Sequence, residues 1–197
     1  MANAAATDHT TAWDDGWWRR ARRCPSPNFG PRPEGGDITL ALIHSISLPP
    51  GVYGGDAVER LFTNRLDWDA HPYYQQICGI EVSSHFFIRR DGELIQFVSC
   101  DDRAWHAGRS HWQGRDNCND FSVGIELEGL EGETFERAQY DALTRVLQAL
   151  AARYPVRQIA GHEHVAPGRK CDPGPGFDWT ALQLALQWPE AAFAAFA

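Results

Sequence analysis

The chain has 197 residues, 43% of them hydrophobic and 22% charged, which is enough apolar content for a sizeable core in a soluble globular protein. Its formal net charge of −8 argues against a nucleic-acid partner, which requires a basic face to neutralise phosphates. No apolar run approaches the roughly 18 residues of a membrane-spanning helix, so no membrane partner is expected.

Residues 1–12 are small and polar and are expected to form a disordered extension, followed by a single domain over residues 13–197. The extension has no basic stretch leading into an apolar one, so it does not read as a secretory leader. Cys24, Cys78, Cys100, Cys118 and Cys171 are odd in number and lack a paired spacing. That pattern fits a reducing cytoplasm rather than a disulfide framework. Eight tryptophans suit a core, a sugar-binding groove, or both.

Trp17 to Arg23 is the basic cluster of the chain, and it reads as a solvated helical face ended by Pro25 in preference to a dock for an anionic partner. Pro25 to Gly36 is a proline- and glycine-rich lead-in loop. Asp37 to His44, nearly continuous in apolar residues, predicts a buried strand stopped by Pro49 and Pro50. His44 at its end is either a ligand or a satisfied core polar group. Val58, Leu61 and Phe62 predict a short amphipathic helix. Ser84 to Arg90 and Glu93 to Val98 flank Asp91-Gly92 and predict a hairpin with a type I′ turn. Arg103 to Gly108 then reads as a loop with an exposed aromatic and a histidine.

Phe121 to Glu128 alternates, with Val123, Ile125 and Leu127 on one face and Ser122, Gly124, Glu126 and Glu128 on the other. Thr134 to Tyr154 predicts the main helix, its stripe formed by Phe135, Leu143, Val146, Leu147, Leu150 and Tyr154 and its end set by Pro155. Val156 to Ala160 predicts a short strand, and Asp178 the cap of a last helix carrying Trp179, Leu182 and Leu186.

The stretch from Ala160 to Trp179 gathers His162, His164, Cys171, Asp172 and Lys170. Its prolines and glycines exclude regular structure through the middle, and an irregular polar loop of this kind tends to carry function. Three ligands and an open position are the plan of a catalytic zinc. His162 and Asp172 need a third ligand from a distant strand; His44 is the natural candidate, with His85, His106, His111, His164 and Cys171 as competitors. Glu126, held on a strand, is placed to take a proton from water and pass it to a departing amine. The alternative is that Glu126 and Glu128 are the solvated side of an edge strand. Lys170 either faces a developing oxyanion or is a surface lysine paired with a carboxylate.

Several segments occur in a telling order: Arg22 to Phe29, Ile43 to Gly51, Leu61 to Thr63, Ala70 to Tyr74, Ser84 to Gly92, Arg103 to Gly108, Cys118 to Gly129 and Gly161 to Pro175. From about Trp17 to Trp179 the chain resembles the zinc-dependent N-acetylmuramoyl-L-alanine amidases, in particular those acting in the cytoplasm on 1,6-anhydro-muropeptides. The resemblance implies zinc on His44, His162 and Asp172, Glu126 as catalytic acid/base and Lys170 as oxyanion stabiliser. It places Tyr73, Trp105 and Arg169 in the substrate cleft. It also implies an α/β (α+β) fold, a central mixed β-sheet flanked by helices as in peptidoglycan-recognition proteins and phage amidases.

The implied activity is cleavage of the amide between (anhydro)muramic acid and L-alanine during cell-wall recycling, with a muropeptide as partner and no oligomeric state specified. Ser45 stands where the family has asparagine, Glu81 and Asn117 where it has arginines, and Cys171 where it has threonine. Those departures leave the ligand set intact, and His164 falls outside it. Rival readings are a lytic amidase on intact murein, a module that binds muropeptides without cutting them, and iron in place of zinc.

Overall fold

The computed structural model describes residues 12–196. The expected disordered extension therefore lies outside the described residues up to residue 11, while Ala12 already packs against the core.

Six strands form the central mixed sheet: β1 (Arg22–Arg23), β2 (Leu40–Ile46), β3 (Phe86–Ile88), β4 (Leu94–Gln96), β5 (Ser122–Glu128) and β6 (Gln158–Gly161). Their spatial order is β6-β2-β5-β3-β4-β1. The first four of that order are parallel; β4 runs antiparallel to β3, and β1 parallel to β4. Parallel neighbours need crossovers. Between β2 and β3 the crossover contains α1 (Ala57–Phe62) and α2 (Pro72–Gln76), and between β5 and β6 it is α3 (Arg137–Arg153). Beyond β6 come α4 (His162–Val165) and α5 (Trp179–Leu186), the latter capped by Asp178 Oδ1 on the Ala181 N–H as expected.

Strand alternation gives the sheet two different faces. On one, Ala41, Ile43, Val123, Ile125 and Leu127 pack against Leu143, Val146, Leu147 and Leu150 of α3 and Leu182 of α5. Each buried Val, Leu or Ile side chain contributes about 1.5–3 kcal/mol by leaving water, so this face holds α3 in place. Buried Gln139 adds a polar anchor, donating to the carbonyls of Ile88 and Glu128. On the other face, Leu40 and Leu42 join Phe121 and Ala160, while Phe87, Ile95 and Phe97 pack on Val58, Leu61 and Phe62 of α1. Toward the C-terminal ends of β2 and β5 that same alternation presents His44 and Glu126.

Three expectations are corrected. Trp17 to Arg23 is not helical: Trp17–Trp18 pairs with Trp13–Asp14 in a small ribbon, and Arg22–Arg23 is an edge strand. Stacked, buried Trp13 and Trp18 fix the ribbon, while Arg22 and Arg23 stay exposed, as expected, and pair with Glu59, Glu93 and Asp14. The β3–β4 turn is not type I′, which needs two consecutive left-handed residues. Here only Gly92 is left-handed, at φ 85°, and its N–H donates to the Arg89 carbonyl across a three-residue loop. Finally, β5 is interior, so Glu126 and Glu128 are buried and not a solvated edge. The lead-in loop adds an unforeseen tie. Arg32 donates to the carbonyls of Cys100, Asn119, Asp120 and Ser122, fastening that loop to the start of β5.

Candidate metal centre

Sheet register assembles this centre. His44 of β2 lies opposite Glu126 of β5, and side chains paired in register across parallel strands point to one face. On the other side of β2, Gly161 ends β6 opposite Ile43, so His162 opens α4 beside His44. The chain then turns back, and the Glu163 N–H donates to the Asp172 carbonyl at 2.9 Å. His44 Nδ1, His162 Nδ1 and Asp172 Oδ2 thereby form a triangle with edges of 3.0, 3.1 and 3.2 Å.

The triangle's chemistry fits a divalent cation. His162 Nε2 lies 3.0 Å from the Ala107 carbonyl, which can only accept, so in the neutral ring the proton sits on Nε2 and the Nδ1 lone pair faces the triangle. Burial and repulsion from His162 lower the His44 pKa to about 4, so His44 is neutral at neutral pH. Burial opposes ionisation of Asp172, but its contacts with His162 and His44 outweigh it and hold the carboxyl well below the usual carboxylate range. Imidazole without a proton on the ligating nitrogen and ionised carboxylate are the forms a metal requires. Two nitrogens and one oxygen, buried on one side and open to a cavity on the other, match a catalytic zinc set.

Glu126 completes the wall. Its Oε2 is buried without a hydrogen-bond partner. Burial, then the charge on Asp172, push its carboxyl well above the ordinary value, while Lys170 pulls the other way. These five residues line one cavity of about 420 Å³, together with Tyr73 and Trp105. Arg169 does not line it. Its guanidinium donates to the Ala107 and Arg109 carbonyls at 2.6 and 2.7 Å, bracing the loop that also holds His162. Glu81 and Asn117 lie off the cavity wall; Ser45 is on it, with a buried, unpartnered hydroxyl.

The competing residues are accounted for elsewhere. His85 Nδ1 accepts the Gly124 N–H at 3.0 Å as a satisfied core histidine. His111 pairs with Asp116 at the surface. His164 Nδ1 accepts the Gly161 N–H at 2.8 Å, with its ring leaning on Trp179, and Cys171 is exposed. His106 is different: its Nδ1 is 2.9 Å from His44 Nε2, on the side of the ring away from the triangle. Sequence spacing carries no signal of that contact.

A family model described as N-acetylmuramoyl-L-alanine amidase matches residues 34–175, which contain the whole cluster. The chain belongs to the N-acetylmuramoyl-L-alanine amidase family. This amidase is 51% identical over 172 residues to the 1,6-anhydro-N-acetylmuramyl-L-alanine amidase AmpD of Citrobacter freundii, covering 86% of this chain and 92% of the relative. The crystal structure of a selenomethionine AmpD derivative superposes with a TM-score of 0.85 at 49% identity, over 88% of this chain and 98% of that one. The Escherichia coli amidase AmiD, in complex with its substrate anhydro-N-acetylmuramic acid-L-Ala-D-γ-Glu-L-Lys, matches at a TM-score of 0.56 and 28% identity, over 78% and 60% of the two chains. Drosophila peptidoglycan recognition protein SD, 17% identical with a TM-score of 0.56 over 84% and 90%, shares the fold alone. The expected mixed sheet of the peptidoglycan-recognition kind is thus the fold of this amidase.

Proposed function

We propose that this amidase uses zinc to hydrolyse the amide between 1,6-anhydro-N-acetylmuramic acid and L-alanine in cytoplasmic muropeptides, a step of cell-wall recycling. The observation that carries the reading is the meeting of the His44–His162–Asp172 triangle with an unpartnered Glu126 carboxyl on one cavity wall. High identity to AmpD over most of both chains supports the substrate class, and the AmiD complex supports a muropeptide as ligand. Five free thiols fit a reducing compartment. Among the described residues, no helix is long and apolar enough to cross a membrane.

When bound by His44, His162 and Asp172, zinc supplies Lewis acidity, which polarises a carbonyl and lowers the pKa of water. Glu126 takes the proton of the attacking water and returns it to the amide nitrogen, so that L-alanine leaves as a free amine. Burial favours the protonated carboxyl needed for the second transfer, and the nearby Lys170 ammonium favours the ionised form needed for the first. Lys170 also faces the negative charge that develops on the carbonyl oxygen. Tyr73 and Trp105 offer aromatic surface to the sugar and lactyl groups. Glu126→Gln is expected to lower kcat by about 10²–10⁴-fold while zinc content and substrate affinity persist. Full activity in that variant would remove Glu126 from the mechanism.

A further inference from the structure

We propose that His106 is a positioning residue that sets the tautomer and orientation of His44 through a one-way hydrogen-bond chain ending on the Cys118 carbonyl. This inference rests on reading the triangle as a metal centre. The chain is fixed from its far end. The Cys118 carbonyl can only accept, and Ser122 Oγ lies 2.6 Å from it, so the hydroxyl proton is committed there. Toward His106 Nε2, 3.3 Å away, Ser122 then offers only a lone pair, and Nε2 must carry the proton of the neutral His106 ring. His106 Nδ1 is left as an acceptor, and His44 Nε2 donates to it at 2.9 Å. His44 Nδ1 therefore presents its lone pair to His162 and Asp172.

Two features outside the chain hold His106 in place. A Cβ at Gly124 would lie 2.5 Å from the His106 ring, so the glycine of β5 makes the room in which the ring sits. Asn119 Oδ1 accepts the N–H groups of both His106 and Ala107, at 3.1 and 2.8 Å. The same loop thus orients both metal histidines, His162 through the Ala107 carbonyl and His44 through His106. A neutral imidazole behind His44, in place of the carboxylate often found behind a ligating histidine, adds no negative charge to the site and preserves the metal's electrophilicity.

The test is zinc affinity by competition with a chromophoric chelator, alongside the visible absorption spectrum of the cobalt-substituted protein. His106→Phe keeps a flat ring but has no acceptor, and should raise the zinc Kd by about 10–100-fold and change the cobalt spectrum. His106→Asn, whose Oδ1 can stand in for Nδ1, should recover most of the affinity. A folded His106→Phe variant with wild-type Kd and spectrum overturns the proposal. Should that variant fail to fold, Ser122→Ala leaves both rings in place and decides: weakened zinc binding supports the chain, and unchanged binding rejects it. Wild-type protein that bound no zinc would sink the metal reading itself, an outcome the same titration separates from the others.

Discussion

His85 and Glu126 are both buried and titratable, but only Glu126 carries an oxygen without a partner. His85 is enclosed by the Gly124 N–H, the Asp102 carbonyl, the Arg32 guanidinium and the His106 ring. Burial, then the charge on Arg32, hold its pKa well below the ordinary value. As pH falls through about 6.5, the unfolded chain takes up a proton that folded His85 refuses, so stability is lost toward acid. In chelator, His85→Gln should flatten the acid-side slope of unfolding free energy, measured by urea titration, by up to about 1.4 kcal/mol per pH unit. An unchanged slope would contradict the assignment. At Lys170, replacement by Met should lower kcat by about 10²-fold or more with little change in KM, as steady-state kinetics would show. Neither role is legible from residue type. A histidine that satisfies a core and one that meets a metal look alike until their partners are known, which is why five competitors stood beside His44.

At the scale of elements, β5 carries both the structural and the chemical argument. Its alternation was readable in the sequence, and Val123, Ile125 and Leu127 do face α3. Its neighbours were not readable, because alternation is the same at an edge and in a sheet interior; the solvated-edge alternative for Glu126 fell only with the strand order. The Trp17 to Arg23 segment misled for a related reason, since the carboxylates that meet Arg22 lie 37 and 71 residues away. Gly124 is the point at which strand and site meet. Gly124→Ala should destabilise the fold by about 1–3 kcal/mol in urea unfolding through its clash with His106. It should also weaken zinc binding. A variant equal to wild type in both would mean that His106 has room to move.

Across the whole molecule, the site is a product of topology. His44 and His162 lie 118 residues apart, and their meeting requires β6 to add beside β2 through the α3 crossover. Spacing along the chain left that open; the family resemblance implied the three residues together, and the strand register brings them together physically. Arg169, which the resemblance placed in the substrate cleft, also braces the loop behind His162, a contact that only the folded chain reveals.

The central claim is that a metal held by His44, His162 and Asp172 serves amide cleavage. Hydrolysis of anhydro-muramyl-tripeptide by the purified protein, before and after a chelator and again after zinc is restored, tests it most directly. The account predicts release of free tripeptide that the chelator abolishes and zinc recovers. Release that persists in the metal-stripped protein, or its absence in the zinc-loaded protein while substrate still binds, would contradict it.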